Sequence, residues 1–348
     1  IHNGQVVHQG ALGYKNVATK TPMTTDDLFY IQSMTKPIIS TAFMMLYEEG
    51  YFKLSDPVSK YLPEFKNLRV VRSVNDGPDA PTDSLKSQIT MTQLLSHSGG
   101  LMHGLEQNPV QIRFRNGYFK PGIKSIQERV ANMTKYPLLA QPGTEWNYSA
   151  GPDVLCVLIE KFSGMSVNEF LKSRLFEPLE MKHTGYNVPK EEQAKIVALH
   201  TKGKNGTISV AANQPPFENV TVWSGVNGLF STAADYATFC QMMLAGGTYK
   251  GKQYLSRKTV ELMTSNHTGD LFKTPGIQWG LGFAVVTDGP ATKTPASKGL
   301  FYWGGANNTH FFIDPQEKLI ALFMTQESNF TWDYHNSLRQ MVYQTLAD

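Results

Sequence analysis

Ser33-Met34-Thr35-Lys36 is the stretch on which the reading of this chain turns, because it sets a hydroxyl and an amine one helical turn apart. The five residues before it, Leu28-Phe29-Tyr30-Ile31-Gln32, are apolar and strand-like. The run after it, from Met34 to Glu49, carries Ile38, Ile39, Ala42, Phe43, Met45 and Leu46 at helical spacing and stops at Gly50. Ser33 is therefore expected where a helix begins. Residues three apart share a helix face, so Lys36 can reach back to the Ser33 hydroxyl. Pro37 is compatible with this, since a first-turn proline lacks an N–H that would be unpaired anyway. A helix N-terminus also offers free N–H groups and a positive dipole end, which suit a developing oxyanion. A serine beside a lysine is one form of the nucleophile-and-base pair. The plainer reading of the same serine is a helix cap.

Two later stretches favour the chemical reading. Gln141-Pro142-Gly143-Thr144-Glu145-Trp146-Asn147-Tyr148-Ser149-Ala150-Gly151 is a turn-rich loop that presents Tyr148 and leads into a helix expected over 153–162. Gly299-Leu300-Phe301-Tyr302-Trp303-Gly304-Gly305-Ala306 reads as a strand with a glycine pair, a sign of close approach by a ligand or another backbone. In this order the three motifs resemble those of the serine β-lactamase and penicillin-binding-protein superfamily: Ser-x-x-Lys, Tyr-x-Asn and Lys-Thr-Gly. More narrowly, the chain resembles the class C-type branch that contains the family VIII carboxylesterases. There the third motif is commonly Trp-Gly-Gly, as at Trp303-Gly304-Gly305. The resemblance continues through residues 54–65, 94–101 and 225–235 and runs nearly end to end.

The resemblance implies roles. Ser33 would be the nucleophile, with Lys36 partly buried so that its neutral amine accepts the Ser33 proton. Tyr148 would be a base or proton relay coupled to Lys36, with the first acceptor of the proton left open between them. The backbone N–H groups of Ser33 and Ala306 would form the oxyanion hole. Trp303, Gly304 and Gly305 would line the edge along which the acyl group lies. His97 and His103 fall in a loop that is a structural signature of the resembled family, so a structural role is expected for both. No Gly-x-Ser-x-Gly elbow is present, which argues against an α/β-hydrolase.

Two departures bear on the substrate. The second motif ends in Ala150, which removes the amide that would hold a β-lactam or peptide side chain. The third has Trp303 where a lysine would pair with a penicillin or peptide carboxylate. Sites built to bind a charge discriminate strongly when that contact is lost, and a large aromatic suits neutral groups better. The expected function is a serine carboxylesterase that cleaves short-chain esters through an acyl-Ser33 intermediate, with weak or narrow β-lactam hydrolysis. Ala150 and Trp303 are then substrate-binding positions. Acyltransferase, β-lactamase and D-aminopeptidase or amide hydrolase are the alternatives within the superfamily. A non-enzymatic binding or scaffolding protein on the same fold is disfavoured, since Ser33, Lys36 and Tyr148 are all intact.

Strands expected over 5–9, 282–286, 300–303, 309–313 and 319–325, with helices between, suggest an α+β fold. One antiparallel sheet is built from both termini and flanked by helices, with an inserted, mainly helical lobe. The expected boundaries are 1–55 with 225–348 for the α/β domain and 56–224 for the lobe. A closing helix is expected over 335–346, and Thr232 with Asp235 is spaced as a capping pair for another.

At 348 residues and 41% hydrophobic, the chain can bury a sizeable core. Its net charge of +3, from 32 basic and 29 acidic residues with no dense basic run, points away from nucleic acid. Hydrophobic runs are too short to span a bilayer. Cys156 and Cys240 lie in apolar helical patterns and read as buried thiols, and the methionines Met44, Met45, Met242 and Met243 as core filling. No Cys/His cluster has zinc spacing, so no metal or cofactor is expected beside a small-molecule ester. Asn3-Gly4 is a strong hairpin turn, yet only Ile1 and His2 precede it. An N-terminal strand and helix are therefore expected to be missing from this chain, along with any signal for compartment.

Overall fold

Phe29–Tyr30 forms a short strand, paired antiparallel with Phe230–Ser231, in the computed structural model, which describes residues 1–75, 77 and 81–347. The chain then turns sharply. Gln32 adopts φ +48°, uncommon for a residue with a side chain, and a 3-10 turn over Gln32–Met34 leads into the helix Thr35–Glu48. Every residue from Thr35 to Leu46 is buried, so this helix is surrounded by protein. Its end is the one the sequence marks. Gly50 takes φ +82°, its N–H donates to the Tyr47 carbonyl, and Tyr51 N–H reaches back to Leu46, which together make a Schellman cap.

Five antiparallel strands form the main sheet in chain order: Ile277–Trp279, Ala284–Val286, Phe301–Gly304, His310–Asp314 and Leu319–Phe323. The first is absent from the sequence reading, since three residues between Gly276 and Gly280 are too few to show alternation. Register puts Trp303 opposite Phe311 and Gly304 opposite His310. Alternation then sends Phe311 to one face, against Tyr236 of the helix Ala233–Leu244. Tyr302 and Phe312 point to the other face, against Arg339, His335 and Tyr343 of the closing helix Trp332–Tyr343. The sheet is thus sandwiched between helices in an α+β architecture.

The N-terminus contributes less to the sheet than expected. The Asn3-Gly4 turn forms, with both residues at positive φ and His2 and Gln5 exchanging backbone bonds. Ile1 exchanges bonds with Ile320, and Asn3 N–H donates to Lys318, which fixes residues 1–3 on the edge strand. No strand forms over 5–9, because among the described residues that segment pairs only through Gln5 with His2, and a turn alone cannot hold a strand. Val6 and Val7 are accordingly exposed.

Between the two ends lie the helices Met91–Leu95, Pro109–Tyr118, Ile126–Met133, Gly151–Ser163 and Val167–Leu171. Capping boxes at Thr90/Gln93 and Ser166/Glu169 start two of them. Thr232 caps the Ala233–Leu244 helix as anticipated. The Asp235 carboxylate, however, turns away from the expected box to accept from His183 N–H and Thr184 Oγ. The buried apolar residues of the main sheet and helices form one large cluster, in which Cys156 and Cys240 lie as free thiols, beside a small one of Leu28, Tyr30, Val188 and Phe230. Among the described residues no helix is long and apolar enough to cross a membrane.

Candidate active site

Lys36 lies in the first turn of a helix buried on all sides and retains only 1% of its surface. Its Nζ is 3.0 Å from Ser33 Oγ and donates at 2.8 Å to the Val226 carbonyl. Burial lowers its pKa to about 7, an effect partly opposed by the negative charge of Asp153. Near neutrality the amine is therefore partly unprotonated and able to accept a proton from the serine it touches. Ser33 itself is half-buried, its turn held from behind. Tyr236 donates to the Met34 carbonyl at 2.9 Å, and Ile31 N–H donates to Leu229 at 3.0 Å.

Tyr148 reaches the same spot from the loop that precedes the Gly151–Ser163 helix. The Lys36 Nζ sits 4.6 Å from its ring centroid, and the Trp303 indole Nε1 donates to its oxygen at 3.1 Å. Burial raises its phenol well above the usual value, opposed by hydrogen bonding from Ser33 and Trp303. The phenol thus stays protonated in the pH range where Lys36 titrates. His97 pins this loop from both sides of Tyr148. Its carbonyl accepts from Asn147 N–H at 2.9 Å, and its Nδ1 accepts from the hydroxyl and N–H of Ser149. Two donors on Nδ1 make it a neutral imidazole, in keeping with a pKa driven far down by burial and then by the Lys36 charge. His103 stacks nearly parallel on the Tyr148 ring at 5.2 Å and is likewise pushed down, to about 3, by burial.

The third motif closes the site. Trp303 is almost covered, packed edge-on against Trp279 at 4.5 Å. Gly305 is glycine because of the backbone beside it. A Cβ there would stand 2.5 Å from the Ile31 carbonyl and 2.3 Å from Thr309 Oγ1. Gly305 therefore lets the end of this strand abut the turn that carries Ser33, the close backbone approach that a glycine at a strand end allows. A Cβ on Gly304 would meet only Thr309 and His310, at the start of the neighbouring strand. Just beyond it, Ala306 is exposed. Neither its N–H nor that of Ser33 has a partner among the described residues. The structure thus brings Ser33, Lys36, Tyr148, Trp303, Gly305 and Ala306 together. It does not bring Ala150 to the surface. That residue is wholly buried, heads the Gly151–Ser163 helix and donates its N–H to Met102. The chain has turned inward by then, so a side chain two residues past Tyr148 points into the core.

Asp153 is the residue that sequence reasoning missed. It has no exposed surface, and its Oδ1 accepts from Ser224 Oγ (2.8 Å), Gly225 N–H (2.7 Å) and Val226 N–H (3.1 Å). The Tyr118 hydroxyl donates to Oδ2, with Arg129 3.7 Å away. Asp153 thereby holds the segment whose Val226 carbonyl receives Lys36. A Cβ on Gly225 would meet the Pro152 carbonyl at 2.3 Å, which shows how tightly that segment is pressed to the helix. In sequence an aspartate in a first helical turn reads as a partner for the helix dipole, and nothing local betrays its distant donors. Trp279, fully buried between His97, Trp146 and Trp303, was missed for the same reason.

Known proteins resemble the chain over nearly its whole length. The family profile described as Beta-lactamase matches residues 1–343. Protein Rv1367c of Mycobacterium tuberculosis is 31% identical over 331 residues, 90% of this chain and 81% of that protein. Esterase EstB of Burkholderia gladioli is 25% identical over 93% of this chain and 83% of its own length. Among solved structures, EstCE1, a hydrolase with promiscuous acyltransferase activity, superposes with a TM-score of 0.85 at 24% identity, covering 99% of this chain and 92% of that one.

Proposed function

The chain belongs to the beta-lactamase family of hydrolases, and on that premise we propose that it is a serine carboxylesterase acting on short, neutral acyl esters. The observation that carries the proposal is the Lys36 amine, buried, 3.0 Å from Ser33 Oγ and lowered to about 7. Lys36 takes the Ser33 proton as Oγ attacks the ester carbonyl carbon. Backbone N–H groups of Ser33 and Ala306 receive the developing oxyanion. Tyr148, whose phenol keeps its proton, donates to the departing alkoxide, and the Lys36 ammonium makes good that loss. Water then attacks the acyl-Ser33 carbonyl with the same groups in reverse roles. An added alcohol that outcompetes this water would leave with the acyl group, which makes transfer a variant of the same cycle.

The sign of the pH dependence follows from Lys36. Its burial lowers the pKa, and only the unprotonated amine can accept the Ser33 proton. The kcat/KM for a p-nitrophenyl ester is expected to rise about tenfold per pH unit below about 7 and to level off above it. A profile that is flat from about pH 5 to 8 would remove Lys36 as the base.

The choice of esters over β-lactams rests on Trp303. In the resembled motif Trp303 stands where a lysine would meet a carboxylate, and an unpaired carboxylate beside it costs several kcal/mol on the usual scale. The similarity to Esterase EstB supports the same choice. The unmodified protein is expected to prefer p-nitrophenyl butyrate to penicillins, measured as kcat/KM. Trp303→Lys should shift the ratio toward penicillin by about 10–100-fold. A wild-type preference for penicillin would show that another basic residue supplies the charge and that the substrate assignment is wrong.

A further inference from the structure

Beyond Trp303 the surface carries two aromatic side chains, Phe330 and Trp332, each about half exposed at 48% and 45%. They meet edge to face at 5.1 Å, and Trp332 lies 6.2 Å from Trp303, ring centre to ring centre. Trp303 in turn bonds the Tyr148 oxygen, so an aromatic track leads from that phenol to solvent and ends on Trp332 and Phe330. The track is rigidly mounted. Buried Asn308 donates to the Glu327 and Asn329 carbonyls and accepts from Thr331 N–H at 2.9 Å, which ties this segment to the turn carrying Ala306. Thr331 caps the closing helix, and His335 backs the Trp332 ring at 5.2 Å. Two large rings held in place with half their surface in water gain most when an apolar group covers them.

We propose that Phe330 and Trp332 form the subsite for the alcohol half of the ester, and that the enzyme favours flat apolar alcohols, aryl or fused-ring, over small alkyl ones. The proposal rests on the esterase reading above. In that reading Tyr148 protonates the leaving oxygen, so the alcohol departs on the Tyr148 side. The Trp303 indole, which bonds that phenol, then borders the alcohol as well as the acyl edge expected of its strand, and leads on to the two exposed rings. Aromatic faces and edges there would pair with a flat leaving group in offset or edge-on contact. An alkyl alcohol offers no such pairing.

The test compares 2-naphthyl butyrate with ethyl butyrate in the wild type, Trp332→Ala, Phe330→Ala and Trp332→Phe. Differences in intrinsic ester reactivity cancel between proteins. The naphthyl-to-ethyl ratio of kcat/KM is expected to fall about tenfold in each alanine variant, chiefly through KM, and to recover in Trp332→Phe. Inhibition by 2-naphthol, the product that would occupy the subsite, should weaken by a similar factor. Equal losses on both esters would reduce the two residues to a structural role and overturn the proposal. So would a ratio that stays at the wild-type value, or a fall seen with ethyl 2-naphthoate instead, which would assign the rings to the acyl half. If the wild type cleaves no ester, the esterase reading fails by itself. Titration with 2-naphthol, followed by tryptophan fluorescence, then still reads the subsite: weaker binding in Trp332→Ala supports it, and equal binding removes it.

Discussion

Ser33→Ala should lower ester turnover by about 10⁴–10⁶-fold and abolish labelling by a fluorophosphonate. The size of the loss follows from the chemistry, since without Oγ no acyl-enzyme can form and only the oxyanion donors and binding remain. The fold should hardly notice. Ser33 is half-buried, and the buried run behind it begins at Met34. Lys36 loses one contact but keeps its bond to the Val226 carbonyl at 2.8 Å. Thermal unfolding and circular dichroism, measured alongside turnover, separate lost chemistry from lost structure. Wild-type-like hydrolysis by a folded Ser33→Ala protein would dismiss the mechanism altogether.

Lys36 and Tyr148 are expected to behave as one unit. Lys36→Met retains most of the stem in its buried slot while removing the amine, and Tyr148→Phe removes only the phenol oxygen. Each should cost about 10³–10⁴-fold in kcat, and the double variant should be little worse than either. The reason lies in the shared proton. In the proposed cycle Lys36 takes it from Ser33 and Tyr148 passes a proton to the leaving oxygen, so losing either breaks the same circuit. Lys36→Met also leaves the Val226 carbonyl without its donor, a loss of about 1–3 kcal/mol for a buried group, so a lower Tm is expected as well. Tyr148→Phe frees the Trp303 indole N–H in the same way. Losses that multiply in full in the double variant would mean that the two residues act in separate steps.

Much of this was legible in the chain itself. Helical phase puts Lys36 on the Ser33 side of one turn wherever that helix lies, and the apolar spacing with Gly50 marks its extent. Short apolar and aromatic runs at 300–303, 309–313 and 319–325 mark three strands of the sheet. These signals act within about one turn of helix or a pair of residues in a strand, so they need no knowledge of the rest of the chain. The segment at 5–9 follows a hairpin turn and carries Val6 and Val7 but forms no strand, because a strand depends on a partner that its own residues do not supply.

Tertiary structure decided everything that depends on distant neighbours. Whether Lys36 is a base or a surface cation is set by desolvation, and that comes from packing against Val226, Tyr148 and the surrounding core. Gln32 carries no mark of its positive φ, which the strand pairing and the closely packed Gly305 impose from outside. Asp153 looks like a dipole partner until its carboxylate is seen holding Ser224, Gly225 and Val226, some 71–73 positions away. Ala150 follows Tyr148 by two residues, yet it faces the core because the chain has already entered a buried helix. Residue type and local spacing thus set which chemical groups this protein carries. Their burial, their partners and therefore their pKa values arise only when segments remote in sequence exclude water together.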